Sequence, residues 1–129
     1  MSYILVIDDD EILRPMLRMT LEHLGHEVGE ARDGNEGLAL QQQRPADIVL
    51  TDLVMPNKEG IETIVELRQK FPNLRIIAMS GGSRVTATDY LDIARWAGAK
   101  RILTKPFTPT DLAAAIAAVL ADEQPDDRT

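Results

Sequence analysis

Four polar groups in this chain stand where predicted strands stop. Asp8-Asp9-Asp10 follows Tyr3 to Ile7, Asp52 closes the run from Ile48, Ser80 follows Leu74 to Met79, and Lys105 follows Lys100 to Thr104. Carboxylates brought within a few ångströms repel one another and raise each other's pKa unless a cation joins them. A hard divalent ion with oxygen ligands answers that repulsion. Mg²⁺ is favoured, because it takes one or two carboxylates and keeps waters that a phosphate-bearing ligand can replace. Asp9 and Asp52 are then the direct ligands, Asp8 a water-mediated one, and the carbonyl of Val54 a third protein oxygen. Lys105 brings a point charge suited to a phosphoryl oxygen, and the Ser80 hydroxyl can donate to another. Together these residues describe a site for a tetrahedral, dianionic group on Asp52, stabilised by metal and ammonium during transfer.

Taken singly, each piece has an ordinary explanation. Asp52 could cap a turn, the aspartate run could be a solvated helix start, Ser80-Gly81-Gly82 a loop, and Lys105-Pro106 a surface turn. What favours the chemical reading is that all four fall at strand ends in order.

The elements that must position them alternate along the chain. Ile48 to Leu50 is a continuous apolar run with β-branched members, which suits a strand buried on both faces, and Tyr3 to Ile7 reads the same way. The stripe Ile12, Leu13, Met16, Leu17, Thr20, Leu21 and Leu24 predicts a helix with one face on a core, capped by Asp10, ended by Gly25 and distorted near Pro15. His26 to Ala31 is a weaker strand, Asp33-Gly34 a turn signal, and Asn35 to Gln43 a short helix before Pro45. After a Pro56-to-Gly60 loop, Ile61, Ile64, Val65 and Arg68 mark a helix ending before Pro72. Leu74 to Met79 and Lys100 to Thr104 are strands four and five, separated by a polar helix from about Val85 to Ala97. The last helix has Thr108 as N-cap, Pro109 at its first position and Asp111 as capping-box partner.

Five strands alternating with five helices predict an α/β fold, a parallel sheet covered on both faces with right-handed crossovers. The order 2-1-3-4-5, flavodoxin-like, is the common one for this element count. It places the carboxyl ends of strands one and three side by side, so Asp8, Asp9 and Asp52 meet there.

Composition narrows the function classes. A chain of 129 residues is a one-domain length that can bury a real core. Cysteine is absent, which excludes disulfides, thiolate metal sites and cysteine nucleophiles. A net charge of -7 disfavours direct nucleic-acid binding. With no signal pattern and no apolar run near the roughly 20 residues that span a bilayer, the chain reads as cytoplasmic and unattached to membrane. Residues 1–121 form the expected domain, and 122–129 an acidic, frayed tail. His23 and His26 read as surface or helix-end residues with no role.

With Ile7-Asp8-Asp9, Asp52 with Met55-Pro56 and Gly60, Ser80-Gly81 and Lys105-Pro106-Phe107, the chain resembles the receiver domains of two-component response regulators over residues 2 to 121. The resemblance implies a phosphorylation-dependent signalling switch. Asp52 is similar to the acceptor that takes a phosphoryl group from a phosphohistidine on a partner histidine kinase or phosphotransfer protein. Asp8 and Asp9 are similar to the acidic pair that holds Mg²⁺, Ser80 to the hydroxyl that turns toward the acyl phosphate, and Lys105 to the cation that pairs with it. It also implies a domain that is no enzyme toward other substrates, catalysing only its own phosphoryl acceptance and hydrolysis. A downstream protein partner is expected on the face of the fourth helix, fifth strand and fifth helix.

The chain departs from the family pattern in three places. Ile102 stands where an aromatic residue is usual, and a β-branched side chain has little room to swing. The stretch from Ser80 to Lys105 is longer than usual and opens on the pliable Gly81-Gly82. Leu53, Val54 and Gly82 offer no acid or amide to position a hydrolytic water, so slow self-hydrolysis is expected. On the partner surface, Trp96 is either an interface anchor or folded over a neighbouring element. The alanine-rich helix from Leu112 to Leu120 reflects helix propensity, with a docking or homodimer face as the alternative. A stand-alone receiver is the first reading and a receiver from a larger regulator with an effector, DNA-binding for instance, the second. A remote third is a small phosphohydrolase with Asp8 as nucleophile, Asp10 beside it and Asp52 on the metal.

Overall fold

The computed structural model describes residues 2–53, 60–80 and 97–121. Its elements run β1 (Tyr3–Ile7), α1 (Leu13–His23), β2 (Glu27–Ala31), α2 (Gly34–Gln43), β3 (Ile48–Asp52), α3 (Gly60–Lys70), β4 (Arg75–Ser80), β5 (Arg101–Thr104) and α4 (Pro109–Ala121). All strand pairs are parallel, in the order β2-β1-β3-β4-β5. Val85 to Trp96 of the expected fourth helix, the tail at 122–129, Val54, Met55-Pro56 and Gly81-Gly82 lie outside the described residues.

Alternation along the strands builds two cores. Leu5, Ile7, Val49, Ile76 and Ala78 face one way and pack with Leu38 of α2 and Ile64 and Leu67 of α3. Ile4, Val6, Ile48, Leu50, Ile77 and Met79 face the other and meet Leu17 and Leu21 of α1 and Leu112, Ile116 and Val119 of α4. A sheet covered on both sides needs apolar residues at every central position, which explains why these runs are continuous rather than alternating. Among the described residues no helix is long and apolar enough to cross a membrane.

The helix ends follow local chemistry. Asp10 Oδ1 accepts the Ile12 and Leu13 amides at 2.9 and 3.0 Å, and Gly25 ends the turn after α1 with φ at 98°. Pro15 cannot donate to the Glu11 carbonyl, and the next bond, Met16 N to Ile12 O, is stretched to 3.4 Å. The Thr108 amide donates to Asp111 and the Asp111 amide to Thr108 Oγ1, both at 3.0 Å, the reciprocal box expected from sequence.

Two expectations are corrected. The apolar stripe of α1 is not all core: Leu17 and Leu21 are buried, whereas Ile12, Met16 and Leu24 are exposed, and Arg14 takes the buried face instead. Spacing alone admits two neighbouring stripes on this helix, and the sheet covers only one. Asp33-Gly34 is not a free turn but the start of α2, with Asp33 Oδ1 accepting the Glu36 amide.

Candidate functional site

The register sets the site. Ile7 is opposite Thr51 and Asp52 opposite Met79, so Asp8 and Asp52 leave adjacent strands at the same level. β1 and β3 are also where the strand order reverses, the crevice in which open α/β sheets bind ligands. Ser80 ends β4 opposite Thr104 of β5, and Lys105 follows one residue further on, its backbone amide donating a hydrogen bond to the Ser80 carbonyl at 2.8 Å. Asp8, Asp52 and Ser80 are buried, Asp9 is exposed and Lys105 is intermediate.

Asp8 is the most constrained of these. Its amide donates to the Ala31 carbonyl, its Oδ1 accepts the Asp10 amide at 3.0 Å, and its Oδ2 accepts from Lys105 Nζ at 3.2 Å. The same Nζ lies 3.4 Å from Asp52 Oδ2, so one ammonium bridges two carboxylates. Asp52 Oδ1 accepts the Leu53 amide at 2.9 Å. Behind Asp52, α3 begins so close that a Cβ on Gly60 would strike the Asp52 carbonyl oxygen and the Leu53 backbone. The glycine is what permits this approach.

Burial pushes the Asp52 carboxyl up to about 6, with the Asp8 charge adding to the rise and Lys105 and the Leu53 amide opposing it. Asp10, by contrast, is held below the usual carboxylate range by the Leu13 and Ile12 amides that it caps.

Oxygens of Asp8, Asp9 and Asp52 lie within 4.8 Å of one another. Oxygen ligands on opposite sides of an octahedral Mg²⁺ are about 4.2 Å apart and those at right angles about 3 Å, so this donor set suits a hard cation after small side-chain movements. The structure thus brings together Asp8, Asp9, Asp52 and Lys105, with Ser80 at the end of the next strand.

Sequence reasoning missed two contributors. Arg14 is buried three residues before Leu17 and seven before Leu21, on the same helix face, and donates to the Asp8 carbonyl at 2.8 Å. The spacing was the available signal. Beside the site, a groove of about 610 Å³ runs between α1 and the start of α4, lined by Ile12, Met16, Phe107 and Pro109 among others, with Asp10 and Lys105 also contributing.

Comparison with known proteins agrees with this geometry. The model of the response regulator receiver domain matches residues 4–117. Transcriptional regulatory protein CpxR of Klebsiella pneumoniae is 38% identical over 120 residues, covering 93% of this chain and 50% of that protein. Chemotaxis protein CheY of Thermotoga maritima is 34% identical over 115 residues, covering 88% and 92%. Among solved structures, a response regulator receiver domain protein from Clostridium thermocellum superposes with a TM-score of 0.86 at 31% identity, covering 93% and 94%. Vibrio cholerae CheY4 does so with a TM-score of 0.85 at 29% identity, covering 92% and 98%. The chain spans about half the length of CpxR and of the regulators MprA and ResD. By its sequence, its strand order and the acidic crevice that the order creates, the chain belongs to the response regulator receiver domains of two-component systems.

Proposed function

We propose that Asp52 accepts a phosphoryl group from a phosphohistidine on a histidine kinase or phosphotransfer protein, and that the acyl phosphate then biases the domain's contact with a protein partner. The observation that carries this reading is the single ammonium of Lys105 lying 3.2 Å from Asp8 and 3.4 Å from Asp52. A carboxylate beside one movable cation and one acidic neighbour is a nucleophile whose counter-charge can be transferred to the incoming group.

With its pKa at about 6, Asp52 is mostly ionised at neutral pH. Its Oδ2 attacks phosphorus, the donor's N–P bond breaks, and the electron pair returns to the donor imidazole. Lys105 then moves from the carboxylates to a phosphoryl oxygen, and the Ser80 hydroxyl donates to another. Asp8, Asp9 and Asp52, with the Val54 carbonyl, would hold Mg²⁺, which when bound supplies positive charge to the phosphoryl oxygens. Water later cleaves the acyl phosphate, slowly, because Leu53, Val54 and Gly82 carry no acid or amide side chain that could orient it. The proposed chemistry is confined to the domain's own phosphoryl acceptance and hydrolysis. Movement of Ser80 and Lys105 reaches β5 and α4, and these, with the helix expected from the sequence before β5, form the proposed partner face. A homodimer through α4 belongs to the same proposal.

The half-length match to transcriptional regulatory proteins such as CpxR favours a second reading, a receiver that serves an effector domain. The phosphohydrolase reading has less support, since Asp10 spends its carboxylate on capping α1 while Asp8 holds Lys105.

The test is exposure to a small acyl-phosphate donor with Mg²⁺, followed by intact mass. One phosphoryl adduct that requires Mg²⁺ and is lost in Asp52→Asn is expected. An adduct that survives Asp52→Asn but not Asp8→Asn would contradict the assignment.

A further inference from the structure

Asp9 is the exposed member of the acidic group and makes no hydrogen bond or ion pair among the described residues. Its carboxylate is therefore aimed by its own backbone, and in particular by the peptide that joins it to Asp8. That peptide is gripped from below. Arg14 NH1 donates to the Asp8 carbonyl at 2.8 Å in a buried bond.

The guanidinium is itself clamped. Its Nε donates to Glu30 Oε1 at 2.9 Å, and NH1 and NH2 reach the two oxygens of Glu11 at 3.3 and 2.7 Å. Arg14 thus ties together the end of β1, the start of α1 and β2. Only a planar fork with several fixed donors can satisfy these three directions at once, and a lysine ammonium on a flexible stem cannot. A buried guanidinium placed on the backbone of an acidic pair is also a poor choice for packing alone, because desolvating it is costly.

We infer that Arg14 is a positioning residue of the acidic site, clamped by Glu11 and Glu30 so that it fixes the Asp8 carbonyl and with it the direction of the Asp9 carboxylate toward Asp52. The inference rests on the reading of Asp8, Asp9 and Asp52 as an Mg²⁺ site. Outer partners that orient ligands typically change metal affinity by roughly 10–100-fold when lost. The lower end applies here, where the contact is to the backbone of the ligand pair.

Calorimetric titration of the full chain with Mg²⁺ alone tests it, with chemical denaturation of each variant measured in chelator. Arg14→Lys is expected to raise the Mg²⁺ dissociation constant roughly tenfold. Arg75→Lys is the control. It removes another guanidinium-to-carbonyl bond, Arg75 Nε to Val119 O at 2.8 Å, from the start of β4 at the opposite end of the sheet. That variant is expected to lose stability while binding Mg²⁺ within about twofold of wild type. Arg14→Met provides a second variant, expected to bind at least as weakly as Arg14→Lys. Wild-type affinity in either folded Arg14 variant would overturn the inference, as would an equal loss in Arg75→Lys. Failure of the wild type itself to bind Mg²⁺ would instead remove the metal-site reading, and this inference with it.

Discussion

A carboxyl buried beside another carboxyl holds its proton longer than one in water, and Asp52 rises to about 6 for that reason, mainly through burial. The folded state therefore binds this proton more tightly than the unfolded chain does. Its contribution to stability is fully present below about pH 4 and is lost as pH rises through about 6. From an ordinary 3.8 to about 6, the difference corresponds to roughly 3 kcal/mol at most. In chelator at pH 7, Asp52→Asn is expected to be more stable than wild type by roughly 1–3 kcal/mol, with the gap closing toward pH 4. Urea denaturation across that range checks it, and a gap that widens on acidification would contradict the shift. At this scale the sequence was informative where residue types were unusual for their place. A carboxylate or an ammonium at the end of a predicted strand is conspicuous, and Asp8, Asp9, Asp52 and Lys105 do converge. Arg14 was not legible in the same way, because a charged residue inside an amphipathic helix normally belongs to the wet face, and only the covering sheet shows otherwise.

Among the elements, the strands were readable because both faces of a central parallel strand must be apolar, and the runs ending at Ile7, Leu50 and Met79 are. The capping box at Thr108 and Asp111 was readable because it depends on two residues three apart in the chain and nothing distant. The core face of α1 was not, since Ile12 and Met16 have the right spacing but lie beyond the sheet, beside the groove next to Lys105. Gly60 shows a different limit. As a sequence symbol it marked the end of a loop, whereas it is the first residue of α3 and the point where that helix presses on the backbone of Asp52. Gly60→Ala is expected to destabilise the domain by roughly 2 kcal/mol or more, because backbone rather than a movable side chain occupies the space. Denaturant unfolding measures this, and a cost below about 0.5 kcal/mol, the level of an ordinary surface change, would mean that α3 can retreat freely.

Across the whole molecule, the site exists because of strand order. Residues 8, 52, 80 and 105 are scattered in sequence and meet only because the chain folds as β2-β1-β3-β4-β5 with every strand pointing the same way. Periodicity could not supply that order. It came from the general preference of such alternating chains and from the family resemblance, and the observed sheet agrees with both. By this convergence Asp52 is the proposed acceptor. The most direct measurement is to treat the Mg²⁺-loaded protein with a small acyl-phosphate donor, trap the product by borohydride reduction, which converts an acyl phosphate to an alcohol, and locate the changed residue by peptide mass spectrometry. Homoserine at position 52 and nowhere else is expected. Homoserine at position 8 or 9, with position 52 unchanged, would contradict it.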